Sequence, residues 1–253
     1  MISDFKYWAR NNLSENNIDT LKYMATSFHF IVAPLAALLA RKKNVGKSSF
    51  LDPTAQILGW DNIRIGNNCI ISEHTCLNVN SRIDGQFAIE IGDNCFIGRR
   101  NFFSSGRKIL IGDYCLTGAD CKFLGAGHVA DPSKPYINSG TTDTDSINVG
   151  VNCWIGVGAI IIGDITIGHG SIIGAGTVLL HSLPPFSIAV GSPARIVKRF
   201  SFLSNTWITA DDFSEELEAL MPNEQDYLKY LTDENHSISM PKVAAGKSRG
   251  DIA

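Results

Sequence analysis

The residue best suited to chemistry in this 253-residue sequence is His128. A histidine has an ordinary pKa of ~6.5, so its neutral ring can accept a proton at neutral pH. Asp131 follows three residues later, where a carboxylate could orient the imidazole and stabilise its charged form. An aspartate directly before Pro132 fits a turn equally well. The pair is therefore a candidate general base with a candidate supporting carboxylate.

His128 lies in a loop that interrupts a regular pattern of residues. Residues 124–146 read LGAGHVADPSKPYINSGTTDTDS, a composition rich in Gly, Pro, Ser, Thr and Asp. The pattern stops at Phe123 and resumes at Ile147, and we expect this to be its one break. A loop of this length inside a compact domain is usually functional. A lone loop histidine is often merely solvated, but this position favours a catalytic role.

The interrupted pattern is a ladder of aliphatic residues with a period of six. Its clearest stretch runs through Val149, Ile155, Ile161, Ile167, Ile173 and Leu179. Similar stretches occur earlier, over 65–75, 91–98 and 111–121. A period of six is neither the ~3.6 of an amphipathic helix nor the two of an ordinary strand. Three hexads close one triangular coil, so the pattern predicts an all-β core, a parallel β-helix over 49–199.

The cysteines follow the same ladder. The small, inward position four residues after an aliphatic residue holds Cys69, Cys95, Cys115, Cys121 and Cys153. A buried thiol there behaves as a small hydrophobic side chain. The chain has six cysteines and no CxxC pair, so neither a disulfide framework nor a metal site is expected.

Helical segments are expected at both ends, over 1–48 and 200–253, the second ending in a loose tail. In the second segment SEELEAL is a helical stretch, and Pro222 fits the first position of another helix. The apolar, basic-flanked residues 30–43 are too short to span a bilayer, and they fit either a packed helix or one lying on the inner face of the membrane. No signal peptide is seen, and the net charge of −3 offers no basic surface for nucleic acid. A cytoplasmic protein is expected.

Three short motifs accompany the ladder, and together they carry a family resemblance. They are WIGVGA over 154–159, IGAG over 173–176 and GSPAR over 191–195. The sequence resembles the hexapeptide-repeat acyltransferases, and within them the galactoside, maltose and nodulation sugar O-acetyltransferases. The resemblance implies a left-handed β-helix, since the spacing alone does not fix the hand. It also implies a homotrimer with active sites between subunits, acetyl-CoA as acyl donor and no metal.

The same resemblance assigns roles to individual residues. His128 occupies the position of the family's catalytic histidine. Positions that match the coenzyme A contacts are Trp154, Gly156, Val157, Gly158, Ala175, Arg195 and Lys198. Glycine and alanine would let the pantetheine arm approach the backbone, whereas the basic residues would bind nucleotide phosphates. Trp154 fits a cofactor cleft or a subunit interface, and Asn101 fits an acceptor-binding or a corner-forming role.

The expected reaction is direct attack of a sugar hydroxyl on acetyl-CoA, with His128 as general base. The acceptor would be a precursor of a surface polysaccharide or a glycolipid. An amino-sugar N-acetyltransferase and a non-catalytic β-helix scaffold remain alternatives. The serine-acetylating branch is disfavoured because its long helical domain and histidine motifs are not seen. A zinc-dependent carbonic anhydrase of this fold is disfavoured because no second histidine follows His128 in its loop.

Overall fold

The computed structural model describes residues 44–234, and most of these residues form a parallel β-helix. The segment before residue 44, including the apolar run predicted over 30–43, lies outside the described residues. So does the tail after residue 234. Between residues 44 and 234 no helix is both long enough and apolar enough to cross a membrane.

Short strands make up most of the regular secondary structure of the described chain. In chain order they are β1 (Phe50–Leu51), β2 (Gln56–Leu58), β3 (Ile63–Ile65), β4 (Ile70–Ile71), β5 (Cys76–Val79), β6 (Ile89–Ile91), β7 (Phe96–Ile97), β8 (Phe102–Ser105), β9 (Lys108–Ile111), β10 (Leu116–Thr117), β11 (Lys122–Leu124), β12 (Gly127–His128), β13 (Thr141–Thr142), β14 (Ser146–Val149), β15 (Trp154–Ile155), β16 (Ile160–Ile162), β17 (Ile165–Ile167), β18 (Ile172–Ile173), β19 (Val178–Leu179), β20 (Ser187–Gly191), β21 (Ala194–Ser201) and β22 (Thr206–Thr209). Two helices follow, α1 (Glu215–Glu218) and α2 (Glu224–Glu234). Single 3-10 turns cover Trp60–Asn62, Tyr136–Asn138 and Ala210–Asp212.

The strands form three sheets, one for each face of the triangular coil. Sheet A contains β3, β6, β9, β14 and β17, and sheet C contains β2, β5, β8, β11, β16 and β19. Sheet B runs through β1, β4, β7, β10, β15, β18 and β20 and then adds β21 and β22. All pairs are parallel except β20–β21 and β21–β22, and the separate β12–β13 pair is antiparallel. We call the three edges of the prism the AB, BC and CA corners, after the sheets that meet there.

Stacked aliphatic side chains fill the interior. Ile147, for example, pairs with Ile109 on one side and with Ile165 on the other, and all three are buried. Phe103 and Phe123 stack in the same core with ring centroids 4.4 Å apart. Each such buried side chain contributes about 1.5–3 kcal/mol relative to exposure. The predicted β-helix of six-residue repeats is therefore confirmed.

Four of the cysteines form a column at the AB corner. The Sγ atoms of Cys69, Cys95, Cys115 and Cys153 lie 3.0, 3.1, 3.2 and 3.3 Å from the glycine carbonyl oxygens of the next coil. Cys121 is buried separately at the BC corner, and burial raises the pKa of the Cys115 and Cys121 thiols. All five predicted inward cysteines are thus buried, which confirms their structural role.

The expectation of a single interruption in the ladder is wrong. Residues 80–88 form a second, shorter insertion between β5 and β6, at the same CA corner as the long loop over 125–145. Ile83 falls on the six-residue spacing between Leu77 and Ile89, but it lies in this insertion and is 51% exposed. The spacing of residue types therefore hid the insertion.

The sheets extend beyond both predicted domain boundaries. Val45 already forms a bridge with Ile65, and β21 continues to Ser201 before turning into β22. Pro222 is not the first residue of a helix, because α2 begins at Glu224. Asn223 caps that helix instead, since its Oδ1 accepts the Asp226 N–H at 3.0 Å.

Helix α2 is attached to the AB corner by hydrogen bonds. Glu224 Oε1 accepts the N–H of Val151 at 2.8 Å, and the Asn152 amide lies 2.5 Å from the Tyr227 hydroxyl. One coil further, His169 Nε2 lies 3.0 Å from the carbonyl oxygen that precedes Asn223. The last coils and α2 consequently form one packed structure.

We expect Gly118→Ala to lower the free energy of unfolding by about 1–3 kcal/mol, because a Cβ there would lie 2.6 Å from the backbone nitrogen of Val157 in the next coil. Gly127→Ala is the matched control, since its Cβ would meet nothing closer than 3.3 Å. Urea unfolding at equal protein concentrations measures both. Equal unfolding midpoints for the two variants would contradict this account of coil stacking.

Candidate active site

His128 stands on a small hairpin that projects from the CA corner. It pairs with Thr141, and Gly127 pairs with Thr142. The imidazole Nδ1 lies 3.2 Å from the backbone oxygen of Gly140. Because a carbonyl oxygen only accepts, Nδ1 carries the hydrogen and the lone pair of the neutral ring is on Nε2. The side chain is exposed, so the lone pair of Nε2 is accessible to a hydroxyl group of a bound molecule.

The structure does not bring Asp131 to the imidazole. Its carboxylate accepts hydrogen bonds from the Ser133 hydroxyl at 2.6 Å and the Ser133 N–H at 3.0 Å, and it pairs with Lys134 at 3.3 Å. The Ser133 hydroxyl and N–H are what lower the pKa of Asp131. The orienting group of His128 is the Gly140 carbonyl, and the catalytic assignment of Asp131 is corrected to a turn-forming role.

Asn101 is also corrected. Its side chain is completely buried inside the β-helix, where Nδ2 donates to Thr117 Oγ1 at 2.5 Å and Oδ1 accepts the Cys121 N–H at 2.6 Å. Both ends of the amide are therefore used within the core. An acceptor bound at the surface cannot reach them, and the corner-forming alternative is the one that the structure supports.

The four predicted backbone contacts for coenzyme A lie at the BC corner, but they are not equivalent. The backbone of Gly156 is covered by the next coil, because a Cβ on Gly156 would lie 2.6 Å from the nitrogen of Ala175. Gly158 and Gly176 have left-handed φ values of 71° and 67° and open space where a Cβ would be. Val157 and Ala175 are exposed beside them. We call Gly158 and Gly176 the glycine stripe.

Charged side chains close the stripe in the earlier coils. Asp120 and Arg100 occupy the same left-handed corner position, one and two coils before Gly158 respectively. They form a two-pronged ion pair with both N–O distances at 2.8 Å, and Arg100 lowers the pKa of Asp120. The open part of the BC corner therefore begins beyond Asp120.

Arg195 and Lys198 reach one face of sheet B because β21 contains a bulge. Residues three apart in a regular strand point to opposite faces. Here the register shifts, so that Lys198 pairs with Ile188 whereas Arg195 pairs with Val190, and Val197 is the extra residue. Ile188 and Val190 both point outward, so the two basic side chains share the exposed face, as their predicted role requires.

Trp154 lies on the outer face of sheet B between Leu116 and Ile172 and is 51% exposed. It contributes to an aromatic groove of about 780 Å³ that α2 and the β21–β22 hairpin enclose. The groove walls include Phe200, Phe202, Trp207, Tyr227 and Tyr230. Both predicted roles of Trp154, at a cofactor cleft or at an interface, fit this exposure.

One chain does not bring His128 and the glycine stripe to the same edge. The hairpin with His128 leaves the CA corner between β11 and β14, whereas Gly158 lies at the BC corner between β15 and β16. Sheet C separates them. In the part of the chain that the structure describes, no group of three or more His, Cys, Asp or Glu side chains is placed to hold a metal.

Known proteins share parts of this sequence and the fold. No family model matches the chain. A Schizosaccharomyces pombe protein provisionally named an acetyltransferase is 40% identical over 91 residues, 36% of this chain and 43% of that protein. Serine acetyltransferase of Bacillus subtilis is 37% identical over 101 residues, 40% of this chain and 44% of the enzyme. The chain thus spans less than half the length of these relatives.

A solved structure covers more of the chain. The N-acyltransferase AntD from Bacillus cereus, in complex with dTDP and 3-hydroxybutyryl-CoA, superposes with a TM-score of 0.53 and 22% identity, covering 74% of this chain and 90% of AntD. The fold is that of a left-handed β-helix, so the predicted hand is confirmed. The resemblance to the hexapeptide-repeat acyltransferases is confirmed for the β-helical region.

Sequence reasoning missed several residues that shape the site. Gly176 is as open as Gly158, and its place in the repeat, one coil after Gly158, is a signal that could have identified it. Gly140 orients His128 through a backbone oxygen, for which residue type gives no signal. The Arg100–Asp120 pair is visible only once the coils are stacked.

We expect Asn101→Ala to lower the free energy of unfolding by about 1–3 kcal/mol, since it removes a buried amide and leaves the Cys121 N–H without its hydrogen-bond acceptor. Asn78→Ala is the control, because the Asn78 amide bonds only to the exposed Asn80. Chemical denaturation compares the two. If Asn101→Ala were as stable as Asn78→Ala, the buried, corner-forming role of Asn101 would be contradicted.

Proposed function

We propose that this protein is an acetyl-CoA-dependent O-acetyltransferase that acts on a sugar hydroxyl. The observation that carries the proposal is the His128 imidazole, which is held through Nδ1 by the Gly140 carbonyl and exposes a basic Nε2. The sequence similarity to acetyltransferases and the shared fold of AntD support it. The glycine stripe and the basic pair on β21 support binding of the donor.

In the proposed reaction His128 Nε2 takes the proton of the acceptor hydroxyl as its oxygen attacks the thioester carbonyl carbon. The new C–O bond gives a tetrahedral oxyanion, which collapses with cleavage of the C–S bond. The leaving thiolate takes the proton from the imidazolium, so that free coenzyme A and neutral His128 are regenerated. The step needs no metal and no covalent enzyme intermediate, and a base of this kind contributes ~100- to 10,000-fold.

The donor would lie along the glycine stripe, where Gly158 and Gly176 have no Cβ to obstruct it. Arg195 and Lys198 would bind its phosphates, because both project outward from the end of sheet B that follows the stripe. Ala175 and Val157 would contact the pantetheine arm from exposed positions.

A homotrimer would complete the site. Within one chain the His128 hairpin and the glycine stripe lie at different corners, so a neighbouring copy is needed to bring a histidine to a donor. We further propose a cytoplasmic enzyme whose acceptors are precursors of a surface polysaccharide or glycolipid. Membrane contact through residues 30–43 is part of this proposal and concerns residues outside the described range.

An amino-sugar N-acetyltransferase is the second candidate, favoured by the superposition with AntD, which is an N-acyltransferase. The same base would serve it by deprotonating the ammonium before attack, or by taking the proton that the amine nitrogen loses as the amide forms. Sugars that offer a hydroxyl but no amine separate the two candidates in one assay of released coenzyme A thiol.

We expect His128→Ala to lower kcat at least ~100-fold with little change in the Kd for acetyl-CoA, because it removes the base and leaves the stripe intact. His181→Ala is the matched control, since His181 is another exposed histidine of the β-helix. Thiol release gives the rate and calorimetry the Kd. Turnover of the His128 variant within a few-fold of wild type would exclude the proposed base.

We expect the double change Arg195→Ala and Lys198→Ala to raise KM for acetyl-CoA about 10-fold or more while kcat stays within a few-fold. The reason is that phosphate contacts stabilise the bound donor equally before and during the reaction, so their loss weakens binding without slowing the chemical step. Lys229→Ala on α2 serves as the control, being an exposed lysine elsewhere on the chain. Initial rates over a range of donor concentrations measure the effect. An unchanged KM would show that Arg195 and Lys198 do not bind the phosphates of acetyl-CoA.

A further inference from the structure

We propose that a cleft at the CA corner seats the acceptor and that Arg107 makes it selective for sugars that carry an anionic group. The cleft measures about 290 Å³, and its walls include Ser81, Gln86, Phe87, Arg107, Asp143 and Thr144. This inference rests on the proposed function. The volume is close to the lower end of the about 300–1,000 Å³ of small-molecule sites, which suits a ligand of about one sugar ring.

The first wall, the insertion over 80–88, is held in place by two asparagine side chains. Asn62, which is 5% exposed, donates from Nδ2 to the backbone oxygens of Ile83 and Gln86 at 2.6 and 2.8 Å. Asn80 donates to the Ser104 hydroxyl at 2.8 Å. The insertion is therefore anchored at its start and in its middle, and the wall exists before any ligand binds.

The second wall is the returning segment of the long loop, between β13 and β14. The Arg107 N–H donates to the Asp145 backbone oxygen at 2.8 Å, which fixes the segment between β13 and β14 that carries Asp143 and Thr144. At Gly106 a Cβ would lie only 2.0 Å from the Gly125 oxygen, so the two coils are in direct contact there. The cleft thus lies between two anchored segments.

The charges around the cleft leave Arg107 available. Its neighbour Lys108 pairs with the buried Glu90 carboxylate at 2.6 Å, and Arg64 pairs with the same carboxylate from the other side. Arg107 itself is exposed and, within residues 44–234, has no carboxylate within ion-pair distance, although Asp143 lines the same cleft. A guanidinium with free donors in a cleft fits a phosphate or carboxylate.

The cleft and the proposed base share one hairpin. His128 pairs with Thr141, and Asp143 follows Thr141 by two residues, which span at most about 7 Å. A sugar held by Arg107 beside Asp143 would therefore lie next to the hairpin that presents His128. The remaining polar groups, on Ser81, Gln86 and Thr144, suit sugar hydroxyls.

Binding of a panel of sugars to the full chain, without acetyl-CoA, tests the proposal. The panel contains hexose 1-phosphates, nucleoside diphosphate hexoses, hexuronates and uncharged hexoses, and calorimetry gives each Kd. We expect anionic members to bind at least about 10-fold more tightly than their uncharged parents. Arg107→Gln is expected to abolish that difference. Arg82→Gln, an exposed arginine of the same insertion that lies over Gly59, should preserve it.

The three kinds of anionic sugar in the panel show which anionic group the cleft prefers, since they carry a phosphate monoester, a diphosphate or a carboxylate on related sugars. Preference for uncharged hexoses, anionic binding that Arg107→Gln leaves unchanged, or failure of every anionic member to bind overturns the proposal. These outcomes are independent of catalysis. Arg107-dependent binding without acetyl transfer would refute the proposed function alone, whereas transfer that ignores charge would refute this inference alone.

Discussion

The structure depends on the direct contact of each backbone coil with the next. Strands of neighbouring coils exchange hydrogen bonds at the ordinary sheet spacing of about 4.8 Å, so corner residues meet their counterparts with almost no room between them. Gly156 lies against Ala175 in this way, and the carbonyl oxygens of the corner glycines receive the cysteine thiols. At such positions the size of the side chain is set by the coil beside it, whereas larger side chains fit at the outward left-handed corner positions, as Arg100 and Asp120 show, and where the chain leaves the prism.

The β-helix was predictable from the sequence because every six-residue repeat has to place an aliphatic or small side chain in the buried interior. The inward aliphatic residues and the five buried cysteines obey that rule, and they were predictable from spacing alone. Ile83 shows its limit, since an exposed insertion residue fell on the same spacing by composition. Asn101 shows another, because a polar residue next to two phenylalanines resembles a surface contact until the amide is seen bonded inside the core.

The candidate site was predictable where a backbone feature and a residue type coincide. His128 stood out because it follows a glycine at a break in the ladder. The partner of its imidazole is the Gly140 carbonyl, which every residue possesses, so only the hairpin register identifies it. Arg195 and Lys198 were assigned by resemblance, yet their common face depends on the bulge at Val197, which strand alternation alone would not predict.

Helix α2 completes a series of carboxylates along the AB corner. Asp93 accepts the Asn67 N–H, Asp113 accepts the Asp93 N–H, and Glu224 accepts the N–H of Val151, where the next coil has no acidic residue. A bond over 73 residues thus replaces bonds over 26 and 20. During synthesis the early coils can mature one after another as they leave the ribosome. The Val151 N–H, in contrast, gains its carboxylate acceptor only after residue 224 has been synthesised, so this hydrogen bond forms later than those of the early coils.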